Sequence, residues 1–279
     1  GDSQARGFLL GATAGRTTLN GEGLQHQDGH SHVQANLIPN CVTYDPTYGY
    51  EVAVIVQDGL RRMYTENENV FYYMTLMNEN YQHPAIPESD DVAKQIIKGI
   101  YKLERVEAKG KAKAKSNVQL MGSGTILNEV RKAAQILSED YKISSDVYSV
   151  TSFNELARDG QAIARWNMLN PEADAKTAYI NKIITKDAGP AIAATDYVKG
   201  YSDQVRAFID TDYRCLGTDG FGRSDSRANL RTHFEVNAAY VVVASLYELA
   251  KRGEVDKKVV TEAIKRFDIN TDKLNPLYA

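Results

Sequence analysis

The sequence predicts an α/β protein built on a mostly parallel sheet with helices on both faces. Three observations carry this. Apolar runs of strand length alternate with amphipathic helical stretches along most of the chain. Several of those runs stop at glycine, proline or polar clusters. The chain has 279 residues and 43% hydrophobic content, enough for a sizeable core in one or two domains.

Residues 1–81 alternate short apolar runs with loops. Residues 40–46 (NCVTYDP) read as a strand ending at Pro46. Residues 50–64 read as a helix, because Val52, Ile55, Val56, Leu60 and Met63 recur near helical spacing. Residues 69–77 (NVFYYMTLM) are rich in β-formers and read as a buried strand, completing a βαβ pattern. The proline-bearing stretch 78–91 reads as a linker, with a domain boundary near residue 88 that separates 1–88 from 89–279. Residues 107–116 (EAKGKAKAKS) read as a solvated lysine loop, with a phosphate patch as the alternative.

The pattern then becomes regular. Residues 117–124 form a strand ending in glycine, and 125–141 a helix with Ile126, Val130, Ala133, Ala134 and Leu137 on one side. Residues 144–153 read as a strand and 154–169 as a helix whose Trp166, the only tryptophan, is expected in the core. Strand 190–198, short helix 202–209 and strand 213–222 follow, the last with a glycine-rich exit. Two terminal helices lie within 237–253 and 256–267, the first stopping at Gly253.

Composition excludes several classes. The formal net charge is -3, so no global field draws nucleic acid or an acidic membrane. The apolar runs are too short to span a bilayer. Cys41 and Cys215 are far apart, which argues against a disulfide framework and for a reducing, cytoplasmic setting. The opening GDSQARGFLL lacks both a secretory signal and a Met, and the expectation is a chain that begins inside a larger protein.

Three stretches bear on chemistry. Residues 121–130 (MGSGTILNEV) resemble a phosphate-cradling turn, but Leu127 occupies the slot of the third glycine, so a plain tight βα turn is the preferred reading. Residues 217–230 (GTDGFGRSDSRANL) place three glycines at a strand exit, where ligands of open α/β sheets sit. The structural alternative has Gly220 and Gly222 meeting backbone demands and Asp225 or Ser226 capping the next helix, with Arg223 left for an interface. Residues 21–32 (GEGLQHQDGHSH) hold three of the five histidines: His26, His30 and His32. Zinc binding, a surface cluster and a catalytic loop all remain open, and the last suits a small anionic substrate undergoing proton transfers. His233 reads as structural.

Five blocks carry a resemblance: RGFLLGATAGRTTLNGEGLQHQDGHSH, IPNCVTYDPTYGYEVAVI, DVYSVTSFNELARDGQ, RWNML and LGTDGFGRSDSRANLRTHFEV. Together they are similar to the homodimeric, bacterial type of pyruvate dehydrogenase. The resemblance runs along the whole chain, and DGHSH resembles the histidine loop of transketolases. It implies that 1–88 is the C-terminal part of a thiamine-pyrimidine-binding middle domain and 89–279 a transketolase-like C-terminal domain. It implies decarboxylation of pyruvate on thiamine diphosphate and reductive acetylation of a lipoyl group on the dihydrolipoyl acetyltransferase, by a homodimer. Thiamine diphosphate and magnesium would be held mainly by residues outside this chain, so the segment alone is expected to be inactive. His26 is the leading candidate for contact with the substrate-derived carboxylate or hydroxyl, and His30 and His32 for proton transfer or positioning. A dimerisation and complex-docking module and a histidine-cluster zinc protein are the alternatives.

Overall fold

The computed structural model describes residues 2–110 and 116–279. The first unit consists of β1 (Phe8–Ala12), α1 (Ser31–Ala35), β2 (Cys41–Tyr44), α2 (Gly49–Leu60) and β3 (Phe71–Leu76). Its three strands are parallel in the order β1-β3-β2, with Cys41 opposite Phe71 and Phe8 opposite Tyr72. The predicted βαβ pattern is therefore β2-α2-β3. β1 adds a third strand on an exposed edge, where Leu9 and Leu10 are 58% and 55% accessible.

The second unit begins with α3 (Val92–Lys98) and β4 (Ile100–Val106), neither of which the sequence pattern marks. β4 runs antiparallel to the later strand Ser144–Val150, and its Lys-x-Glu-Arg interior reads as polar because it is an edge strand with one side in water. Then come β5 (Asn117–Gly122), α4 (Ile126–Ile136), β6 (Ser144–Val150), α5 (Phe153–Leu169), α6 (Tyr179–Ile183), β7 (Ala191–Ala194), α7 (Lys199–Asp203) and β8 (Tyr213–Leu216). α8 (Arg227–His233), α9 (Ala238–Lys251) and α10 (Lys257–Arg266) close the chain. The sheet order is β4-β6-β5-β7-β8, parallel except at β4. One face packs Leu127, Val130 and Ala134 of α4 and Val242 and Leu246 of α9. The other packs Phe153 and Leu156 of α5 with Tyr197 and Tyr201. Both faces are covered, so β6 is buried at every position.

Two local expectations need correcting. The helix expected over 202–209 is α7 followed by a 3-10 turn, Arg206–Phe208. The Gln204 side chain donates to Tyr201 O at 2.7 Å, and Arg206 reaches across to Tyr213 O at 2.7 Å, which competes with helix continuation. Trp166 is only partly buried, under Lys176 Nζ at 3.7 Å from its ring centre, because the last turn of α5 projects past the core with Met168 and Leu169 exposed. Val92, Ile96 and Tyr101, all beyond residue 88, pack into the core of the first sheet.

A candidate active site where the two sheets meet

The strands of both sheets point their carboxyl ends at one another. Asp45, directly after β2, donates its N–H to Thr151 O at 2.8 Å beyond β6, and its own carbonyl accepts from Gly124 N at 3.2 Å beyond β5. The chain leaving β1 does the same to β7: Arg16 N donates to Asp196 O at 3.1 Å. The seam is polar and buried. Asp196 accepts from Thr17 N and Oγ1 at 2.8 and 2.7 Å and from Thr18 N and Oγ1 at 3.1 and 2.6 Å. Burial raises its pKa, with the Arg231 charge and these donors opposing. Arg231, itself buried, pairs with Glu79 and reaches Thr17 Oγ1 at 3.3 Å.

The histidine loop lies on this seam. Asp28 holds its exit: the carboxylate accepts from the N–H groups of His30 and Ser31, both at 3.0 Å, which starts α1. His26 is exposed and its Nδ1 lies 2.9 Å from Glu22, four residues earlier. His30 is exposed, with Nδ1 3.4 Å from Arg16 Nη2. His32 faces inward and is fully buried, its ring stacked on Tyr201 at 4.7 Å and edge-on to Tyr197 at 4.8 Å. Its Nε2 meets Thr75 Oγ1 at 2.8 Å, and burial pushes its pKa down to about 3. The three imidazoles thus divide: two stand at the surface and one is a core group. Among the described residues no group of three or more His, Cys, Asp or Glu side chains is placed to hold a metal ion.

The two loops singled out in sequence, some 190 residues apart, are one surface. Gln27 is buried and spans them, its Oε1 accepting from Arg223 N at 2.7 Å and its Nε2 donating to Arg223 O at 2.7 Å. Gly21 N donates to Asp225 O at 3.0 Å, Arg227 Nε to Thr18 O at 2.8 Å, and Arg16 Nη1 to Thr218 O at 2.7 Å. The loop glycines serve this packing. A Cβ on Gly29 would overlap Arg16, and one on Gly23 (φ +83°) would overlap Ser224 Oγ. Ser226 caps α8, accepting from Asn229 N at 3.3 Å, and Gly220 (φ +100°) passes against Pro276 O.

The turn after β5 is not a phosphate cradle. A Cβ on Gly124 would meet Met77 Cε at 2.7 Å and Asp45 Oδ2 at 2.9 Å, so the space before α4 is filled by the other sheet. Of the lysine loop, Lys109 pairs with Glu139 at 2.9 Å, while 111–115 lie outside the described residues. Cys41 is buried and Cys215 half-buried, both free. His233 is half-buried and packed edge-on to Phe234 at 4.7 Å.

Sequence reasoning missed the seam residues Arg16, Asp45, Thr75, Asp196 and Arg231. One signal was available: the strand segments TYDP and ATDY each run straight into an aspartate.

Residues 1–84 match the family described as pyruvate dehydrogenase E1 component middle domain, and residues 99–237 the transketolase-like C-terminal domain. The pyruvate dehydrogenase E1 component of Escherichia coli (strain K12) is 62% identical over 281 residues, covering 100% of this chain and 31% of that protein. The E1 component of Pseudomonas aeruginosa is 55% identical, covering 99% of this chain and 31% of that protein. Among solved structures, transketolase from Campylobacter jejuni superposes with a TM-score of 0.58 at 18% identity, over 86% of this chain and 31% of that one. A split-gene transketolase, described as an inactive β4 tetramer, gives 0.51 at 15% identity, over 87% and 66%. The chain spans about a third of the length of the E1 components it matches. With both of its units matched and its whole length aligned, this chain belongs to the pyruvate dehydrogenase E1 component family.

Proposed function

We propose that this chain forms the substrate-facing wall of a pyruvate dehydrogenase that decarboxylates pyruvate on thiamine diphosphate and reductively acetylates a lipoyl group of the dihydrolipoyl acetyltransferase, as a cytoplasmic homodimer in its full-length form. One observation carries the reading. In a chain alignable throughout to E1 components, His26 and His30 stand exposed on a loop that the joined carboxyl ends of two sheets hold in place.

Nothing among the described residues favours a diphosphate seat in this chain. The only glycine turn that opens a long helix at a strand exit is filled by Met77 and Asp45, and no metal-ligand group is assembled among those residues. In this reading the diphosphate and magnesium are held mainly by polypeptide outside this chain. No helix of the described residues is long and apolar enough to cross a membrane. Thiamine diphosphate, when bound, supplies the electron sink for decarboxylation. The chain's own part is positioning and proton handling. His26, oriented by Glu22, donates a hydrogen bond or proton to a substrate oxygen, and His30 with Arg16 behind it offers positive potential to the carboxylate. His32 is assigned a positioning role, because its ring is sealed from solvent.

The test compares the full-length protein with the 279-residue chain, each given thiamine diphosphate, magnesium and pyruvate. Carbon dioxide release and acetylation of a lipoyl domain by the full-length protein alone is the expected result. Turnover by the short chain at the full-length rate, or none by the full-length protein, contradicts the proposal.

A further inference from the structure

The seam contains a buried chain of hydrogen bonds that the reaction scheme does not use. Thr75 Oγ1 on β3 lies 2.7 Å from Asp45 Oδ1 at the end of β2 and 2.8 Å from His32 Nε2 on α1. All three residues have no accessible surface. At the far ends, Asp45 Oδ2 and His32 Nδ1 make no hydrogen bond. A threonine hydroxyl has one proton, so the three groups must agree on a direction. With Asp45 ionised, Thr75 donates to it and His32 must carry its proton on Nε2. With a proton on Asp45 Oδ1, Thr75 accepts and turns its own proton to His32, which then carries its proton on Nδ1. A proton on Oδ2 would find no acceptor, and the alternative acceptor for Thr75, Tyr44 O at 3.4 Å, is a weaker one.

His32 is the anchor of the reactive loop. Its carbonyl accepts from Asn154 Nδ2 at 2.8 Å, and its ring ties α1 to β3 directly after His26 and His30. We propose that Thr75 and Asp45 are positioning residues for this loop, and that the proton on Asp45 sets, through Thr75, which nitrogen of His32 is protonated and hence how the loop is held. The inference rests on the proposed role of that loop.

Asp45 is the member that can change state near neutrality. Burial lifts its pKa to about 7, and the carboxylates facing it, Asp196 after β7 and Asp28 in the histidine loop, push the same way; the Thr75 hydroxyl on Oδ1 and the nearby Ser123 hydroxyl, whose hydrogen bond goes to Thr195, oppose. His32 stays neutral. The phenols of Tyr73, Tyr81, Tyr197 and Tyr201 share this surrounding, and burial drives each of them up, so they keep their protons.

The test uses the full-length enzyme loaded with thiamine diphosphate and magnesium. Thr75→Val should lower kcat about tenfold, because it strands two buried polar atoms. KM for pyruvate should stay within about twofold, since no contact with substrate is lost. Thr75→Ser, which keeps the hydroxyl, should restore kcat. Asp45→Asn cannot titrate, and its kcat profile should lack the step near pH 7 seen in the unaltered enzyme. Unchanged kcat in Thr75→Val, no restoration by Thr75→Ser, or superimposable pH profiles for Asp45→Asn and the unaltered enzyme would each overturn the proposal. His26→Ala separates the layers. If it is as active as the unaltered enzyme, the loop reading fails and the positioning claim with it; if it is impaired while Thr75→Val is not, only the positioning claim fails.

Discussion

Replacing Asp45 by Asn should remove a defined pH dependence of stability. The carboxyl is fully buried, and burial lifts its pKa from 3.8 to about 7. In the unfolded chain the same group ionises near its ordinary value. Below about pH 4 both states are protonated and the group contributes no slope. Between about 4 and 7 the unfolded chain releases a proton that the folded chain keeps, so stability falls as pH rises; above that window both are ionised and the loss is complete. A displacement of this size corresponds to about 4 kcal/mol across the window. The assay is urea unfolding of the 279-residue chain and its Asp45→Asn variant at a series of pH values from 4 to 8, with their difference plotted against pH. The variant should gain relative to the parent as pH rises. A flat difference, or one that moves the other way, refutes the claim that Asp45 is held protonated by its buried surroundings.

Two further outcomes test the seam. Arg231→Ala takes the close cation from half-buried Glu79 and the positive charge that opposes the burial of Asp196, and the expected loss is about 3 kcal/mol in the same unfolding assay. Gly124→Ala forces a side chain onto Met77 and Asp45 at φ +50°, and a loss of about 2 kcal/mol is expected from thermal unfolding.

What was legible in the sequence follows from periodicity. β2, β3, β5 and β6 announce themselves as apolar runs, and α4 and α9 as repeating stripes, because each has a face or a whole body in the core. β4 does not, since it is an edge strand whose apolar run is broken by Lys102, Glu104 and Arg105. The histidine and glycine-rich loops stood out by composition. Their union through Gln27 and Arg223 did not, because a contact between residues 196 apart in the chain leaves no local pattern. The adjacency of the three histidines did not show which ring points inward. A single turn of α1 sends His32 into the core while His30 stays outside, and spacing alone does not say where that turn begins. Asp45, Thr75 and Asp196 are isolated polar residues, and only the fold shows that they face one another.

The most direct measurement is kcat for pyruvate decarboxylation by full-length His26→Ala, saturated with thiamine diphosphate and magnesium. A group that handles a proton at the reacting oxygen should be worth about a hundredfold or more. A variant that turns over as fast as the unaltered enzyme would contradict the account, because His26 would then take no part in the reaction.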